Sequence, residues 1–249
     1  ERAKKIVKAA ADCGADAVKL QTYTADTLTF NSNDPAFRVD GTIWEGKNLY
    51  QLYSEAHLPW DWHKPLLEYA AELGLIAFST PFDDTAITLL ESLNVPAYKI
   101  ASSELVDIPL IRKVAEQGKP MIISTGMGTL TEIDEAVKAA REGGCTELVL
   151  LKCTAAYPAP IEEANLRTIP HMADLFDVVV GLSDHTPGST APVAATVLGS
   201  RVIEKHITLS RADGGPDSEF SMEPAEFAAM VRDVRAAESA TGRVLYESR

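Results

Sequence analysis

Positive charge is scarce in this sequence. Its 249 residues hold 23 Lys and Arg against 36 Asp and Glu, a formal net charge of −13. A chain this acidic is a poor general partner for nucleic acid or an anionic membrane. An anionic ligand must therefore meet a local island of positive charge. Cysteine is scarce too. Cys13, Cys145 and Cys153 form no CxxC and no close pair, which argues against a disulfide framework or a cysteine zinc site and fits a reducing compartment. No apolar run approaches membrane-spanning length. The opening ERAKKIVKAAADCGAD reads as an amphipathic helix rather than a signal peptide, so the cytoplasm is the expected setting. No GxGxxG follows an early strand, which weakens a dinucleotide-binding reading. Internal repeats and low-complexity segments are lacking as well.

What is present is a regular alternation. Apolar residues make up 46% of the chain, enough for a sizeable core. Short runs rich in Val, Ile, Leu or aromatics read as strands at 16–23, 76–82, 97–102, 120–125, 147–154, 177–184 and 201–208. Each is followed by a loop and a helical pattern, such as WHKPLLEYAAELG, DTAITLLESLN, IPLIRKVAEQG or APVAATVLG. Most patterns stop near Gly or Asn. Asp83, and Thr131 with Asp134, read as N-terminal caps. Strict alternation implies a parallel sheet with helical crossovers, and near-continuous apolar strands agree, because parallel strands are covered on both faces.

Such a sheet either closes into a barrel or stays open and doubly wound. The expected class is α/β, a TIM-type (β/α)8 barrel. Because a helix comes first, the eighth strand is expected ahead of Glu1, and the chain is read as a barrel truncated before its first strand. A single domain over 1–249 is expected. Residues 24–60 form a long β-to-α connection with Trp44, Tyr50, Tyr53, Trp60 and Trp62, expected to cover or shape a site. Trp60 and Trp62 flank a helix start and are expected to pack it.

Polar groups interrupt the apolar strands. Lys19 and Gln21 share one strand face, and Lys99 and Lys152 break two later strands. A mid-strand lysine must shed water, which is costly without an anion or acid nearby. One alone is readily explained by snorkelling outward; several in equivalent positions point to a phosphate or carboxylate ligand. Hydroxyls gather at the C-terminal strand ends, where barrel active sites lie: Thr80, Ser102, Ser103, Ser124, Thr125, Thr154 and Ser183. Backbone N–H groups of 124–128 offer an anion cradle ahead of a helix, although Ser, Thr and Gly also make ordinary turns. His185 and His206 end neighbouring strands. They either share a divalent ion, leaving positions for water and substrate, or hydrogen-bond within the barrel mouth. Asp184 or Glu204 would orient a ligand or take a proton. His57, His63 and His171 read as structural or surface residues, and Cys153, on the face opposite Lys152 and Thr154, as apolar filler.

The strings KLQTYTADTLT, LYSEAHLPWDWHKPL, FSTPFD, AYKIASSE, ISTGM, LLKCTAAYP, GLSDHT, GSRVIEKHITL and DSEFSMEP occur in this order. Together they resemble the sialic acid synthase family, and TYTADTLT, LYSEAHLPWDWH and Lys152 ahead of Cys153 resemble its pseudaminic branch more than its N-acetylneuraminate branch. The resemblance implies a β/α barrel followed by a small antifreeze-like (SAF) domain, which is expected to lie outside this sequence. It implies an enzyme that joins phosphoenolpyruvate to an open-chain amino-sugar aldehyde, with water added and phosphate released. In the pseudaminic branch the acceptor is 2,4-diacetamido-2,4,6-trideoxy-altrose; N-acetylneuraminate and legionaminic acid synthesis are the alternatives within the fold, and a sugar- or metal-binding barrel the alternative outside catalysis. By the resemblance, His185 and His206 bind a divalent metal, Mn²⁺ or Mg²⁺. Lys19, Lys99, Thr80, Ser102, Ser124 and Ser183 hold phosphoenolpyruvate. Gln21, Phe82, Thr154, Tyr157 and Glu204 lie near the sugar or the forming bond, with Glu204 a base for water. Ala155 and Ala156 stand where the family usually has a polar residue. The expected partners are these two substrates and a second subunit, without nucleic acid or membrane.

Overall fold

A computed structural model describes residues 1–39 and 45–246. The strands are β1 (Ala17–Thr22), β2 (Ile76–Pro81), β3 (Tyr98–Ile100), β4 (Met121–Ser124), β5 (Leu148–Cys153), β6 (Val179–Asp184) and β7 (Val202–Lys205). The helices are α1 (Arg2–Asp12), α2 (Ala25–Leu28), α3 (Leu49–Ala56), α4 (His63–Glu72), α5 (Asp84–Ser92), α6 (Ile108–Ala115), α7 (Leu130–Glu142), α8 (Thr168–Phe176), α9 (Thr190–Val197) and α10 (Pro224–Thr241). The strands pair in chain order, all parallel, in one seven-stranded sheet. Each expected strand is present, trimmed by a residue or more at its ends.

The sheet is curled, which rules out the open alternative. A flat sheet of this size would hold its edge strands about 29 Å apart at about 4.8 Å per strand. Instead Lys19 of β1 lies 3.3 Å from Glu204 of β7. Among the described residues β1 and β7 share no ladder. The seam between them borders a cavity of about 820 Å³ lined by Val18, Leu20, Val202 and Ile203, with Ile6 and Val7 of α1 and Val231 and Val234 of α10. The outer helices brace it: Arg235 of α10 donates to the Gly14 carbonyl at 2.7 Å and to Asp16 at 2.9 Å.

Alternation along each strand decides what each face does. Outward residues Tyr98, Ile100, Met121, Ile123, Leu148, Leu150, Val180 and Leu182 join apolar residues of α5 to α9 in one buried cluster. The inward face carries the polar groups. Gly181 is required by close packing in this wall, since a Cβ there would lie 2.4 Å from the Val202 carbonyl oxygen. Asp83 caps α5, accepting from the N–H groups of Thr85 and Ala86. The other expected cap is displaced. Thr129, in a box with Glu132, starts α7 one residue before Leu130, and Asp134 instead pairs with Lys138 at 2.5 Å. Among the described residues no helix is long and apolar enough to cross a membrane.

Candidate functional site

The C-terminal strand ends surround a cavity of about 870 Å³. At its floor lies a charge cluster. Lys99, in the middle of β3 and 1% exposed, donates to Ser124 Oγ at 2.6 Å and to the Ile100 carbonyl at 3.0 Å. Its ammonium lies 3.8 Å from Glu204 Oε1, and that oxygen also meets Lys19 Nζ at 3.3 Å and the Ser183 hydroxyl at 3.2 Å. Two ammoniums thus share one carboxylate. Burial pushes the Lys99 pKa down to about 8 and the Lys19 charge adds to this, with Glu204 opposing both. Burial raises the Glu204 carboxyl, but Lys19, Lys99 and His206 outweigh it and hold it at about 2. The cluster keeps surplus positive charge inside an acidic protein, which is what a small polyanion requires.

Beside this floor stand the histidines. Ring centres of His185 and His206 are 5.4 Å apart. Two imidazoles bound to one ion, each nitrogen about 2.1 Å from it, set ring centres about 5 Å apart. His185 Nδ1 donates to the Thr154 carbonyl at 2.9 Å, which leaves Nε2 free. Burial, with the charges of Lys19 and His185, pushes the His206 pKa down to about 3, so it is neutral at pH 7, as a metal ligand must be. Asp217 Oδ2 lies 3.6 Å from His206 Nδ1. Among the described residues no group of three or more His, Cys, Asp or Glu is placed to hold an ion. The ring spacing and the free Nε2 of His185 fit a divalent metal that these two imidazoles would hold. Aromatic rings enclose the pair. Tyr157 lies 4.4 Å from the His185 ring, and Phe220 lies 5.0 Å from both Tyr157 and His206.

Gln21, Phe82, Lys99, Ser102, Ser124, Tyr157, Ser183, His185, Glu204 and His206 all line this cavity, and Lys19 reaches it through Glu204. Thr80 is fully buried on the face shared with Phe78 and Phe82, and its hydroxyl has no partner. Ser102 Oγ accepts the Gly126 N–H at 3.0 Å, and a Cβ on Gly126 would meet that oxygen at 2.7 Å.

Several expected groups are not brought here. Lys152 points to the outer face, donating to the Cys153 carbonyl at 2.8 Å and to Thr154 Oγ1 at 3.0 Å. The Thr154 hydroxyl in turn donates to the Glu163 carbonyl at 3.0 Å, so Thr154 serves the site through its carbonyl rather than its side chain. Alternation had put Lys152 and Cys153 on opposite faces; the inward one is Cys153. It lines the cavity with Sγ 4.0 Å from His185 Nδ1, not as filler. The 124–128 loop is no free anion cradle: the N–H groups of Thr125, Gly126 and Gly128 are taken by Leu151, Ser102 and Thr125. Ser103 does line the cavity, its hydroxyl donating to Glu104, whereas Thr125 Oγ1 donates to the Leu151 carbonyl. His63 is buried on Thr22 at 2.8 Å, while His171 is exposed.

Other residues enter that the strand pattern did not mark. Glu104 and Asp217 line the cavity, and burial raises both carboxyls. Their strings, AYKIASSE and DSEFSMEP, were the available signal. Tyr23 and Tyr53 also line it, with Tyr23 edge-on to Phe82 at 5.4 Å and to Tyr53 at 5.8 Å. The long connection thus walls one side, through Leu28, Leu49 and Tyr53. Trp60 Nε1 donates to the Tyr23 carbonyl at 3.3 Å, and Tyr50 to Asp26 at 2.9 Å. Trp44 lies outside the described residues.

Comparison with known proteins agrees with the fold. The chain is 46% identical over 240 residues to a pseudaminic acid synthase of Helicobacter pylori, covering 96% of this chain and 71% of that one. A pseudaminic acid synthase of Campylobacter jejuni is 46% identical over 242 residues, covering 97% and 71%. The crystal structure of an N-acetylneuraminic acid synthetase from Leptospira borgpetersenii, in complex with citrate, superposes with a TM-score of 0.88 at 29% identity, over 100% of this chain and 82% of that one. The model of the NeuB family matches residues 6–246, and the chain belongs to that family.

Proposed function

We propose that the chain is a pseudaminic acid synthase, a transferase that condenses phosphoenolpyruvate with 2,4-diacetamido-2,4,6-trideoxy-altrose to give pseudaminic acid and phosphate. The observation that carries this reading is the meeting of Lys19, Lys99 and Glu204 with the His185–His206 pair in one cavity. The 46% identical relatives carry that name, and the family supports phosphoenolpyruvate-dependent condensation with a sugar.

The residues divide the work. Lys19 and Lys99 hold the carboxylate and phosphate of phosphoenolpyruvate, with hydroxyls of Ser102, Ser124, Ser183 and Thr80 as further partners. The unpartnered Thr80 hydroxyl fits a group that a ligand satisfies. Gln21, Phe82 and Tyr157 flank the acceptor. Held in register, the enol carbon attacks the aldehyde carbon, a gain of orientation. Water adds at the carbon bearing the phosphate, and phosphate leaves with its C–O bond. At a pKa of about 2 Glu204 is too weak a base for that water. A bound polyanion draws both ammoniums and adds negative charge beside the carboxylate, and each effect raises its proton affinity. Glu204 is thus a base armed by substrate. What a divalent ion, Mn²⁺ or Mg²⁺, would supply at His185 and His206 is Lewis acidity toward the aldehyde oxygen. Residues 1–249 act as one barrel domain in this reading, in the cytoplasm, and the full-length protein forms a homodimer.

The test is phosphate release with a panel of acceptors and Mn²⁺, with products read by mass. Turnover of the trideoxy acceptor above the others is expected. Turnover of N-acetylmannosamine alone would sink the pseudaminic assignment, and binding of both substrates without release from any acceptor would leave a sugar-binding barrel.

A further inference from the structure

On the opposite face of the strands that carry the histidines lies a second buried charge pair, which the reaction does not touch. Asp184 ends β6, Lys205 ends β7, and the two are register partners. Their side chains are 2% and 1% exposed. Lys205 Nζ donates to Asp184 Oδ2 at 2.5 Å, to the Thr186 carbonyl, and to the Gly188 carbonyl at 3.4 Å. That uses all three protons of the ammonium. Asp184 Oδ1 accepts the Thr186 N–H at 3.0 Å. One ammonium on β7 therefore ties down the turn leaving β6.

Each member of the pair precedes one imidazole in the chain, Asp184 before His185 and Lys205 before His206. Stability is a weak reason for this pair, because apolar replacements of buried ion pairs are often neutral or stabilising. Direction is a better one. The His185 carbonyl accepts the Ala159 N–H at 2.9 Å, and the His206 carbonyl accepts the Met222 N–H at 2.9 Å. Those bonds fix each histidine to its own loop; the Asp184–Lys205 bonds fix one histidine to the other. A site with two protein donors depends heavily on their separation, and supporting bonds set it.

We propose that the Asp184–Lys205 pair is a positioning device for the metal centre: it sets the spacing of His185 and His206 and so the affinity for the divalent ion. This rests on the two-imidazole reading above. The test is Mn²⁺ binding to the full chain without substrates, by calorimetry and by electron paramagnetic resonance, beside melting curves. The proteins are the parent, His206→Ala, Asp184→Asn, and the double variant Asp184→Leu with Lys205→Met. The double variant should melt close to the parent yet bind Mn²⁺ about tenfold or more weakly, the usual effect of losing an outer partner. If it does not fold, Asp184→Asn, which keeps the shape and loses the charge, is held to the same tenfold criterion. A folded variant with parental Mn²⁺ affinity overturns the proposal and leaves the pair structural. A parent with no Mn²⁺ binding that His206→Ala abolishes removes the two-imidazole reading itself, and the proposal with it.

Discussion

Glu204 and Lys205 are neighbours in β7, yet they belong to buried charge clusters of opposite design. On the outer face, one ammonium meets one carboxylate and all three ammonium protons are used. On the inner face, two ammoniums share one carboxylate beside an open cavity. The charges of the outer cluster are matched one to one without a ligand. The inner one sets two ammoniums against one carboxylate, so it reaches balance when an anion arrives. Burial alone does not mark a site; unmatched charge beside a cavity does.

That contrast can be broken by measurement. The largest effect is expected from His206→Ala, a loss of about a thousandfold in phosphate release, on the several kcal/mol that Lewis-acid stabilisation supplies. Loss under about tenfold would remove the metal from the chemistry. Next is Lys99→Met. Phosphoenolpyruvate affinity should fall about a hundredfold, the loss expected of a charged hydrogen-bond partner, while the melting temperature holds or rises, because a penalised buried charge is gone. A marked fall in melting temperature would make the inner cluster as structural as the outer one.

The pH dependence sharpens the same point. Lys99 has its folded pKa lowered to about 8 from 10.5. Its charge is lost as pH rises through about 8, so kcat/KM should fall by up to about tenfold per unit above that. Between about 8 and 10.5 the unfolded chain binds the extra proton, so this group makes stability rise with pH while activity falls. A flat kcat/KM to pH 10 would exclude Lys99 from anion binding. The smallest effect is expected for Thr154→Val. Its hydroxyl faces away from the cavity, so phosphate release should stay within about threefold, as for changes away from a critical feature. A larger loss would return its side chain to the site.

Much of this was legible in the sequence, because strands covered on both faces leave apolar runs that stand out, and a lysine within one is conspicuous. Lys19 and Lys99 stand out in that way, and His185 and His206 as imidazoles ending neighbouring strands. Alternation also separated Lys152 from Cys153, but a period of two says that faces differ, not which looks inward; curvature and helix packing decide that. Glu104 and Asp217 escaped because they come from irregular connections with no period to read. The α7 cap was misplaced because Thr129 and Thr131 both precede acidic residues by three, and only the hydrogen bonds choose between them.

The seam between β1 and β7 has a further consequence. Elsewhere in the wall, neighbouring strands are stitched by backbone bonds that ionic conditions barely alter. Here, among the described residues, the two margins share no ladder, and the ion pair that links them, Lys19 with Glu204, is one that protonation of the carboxylate can weaken. The joint of the wall most open to chemical persuasion is made from the same ammonium that is to seize the substrate, so filling the cavity and loosening that joint draw on a single charge.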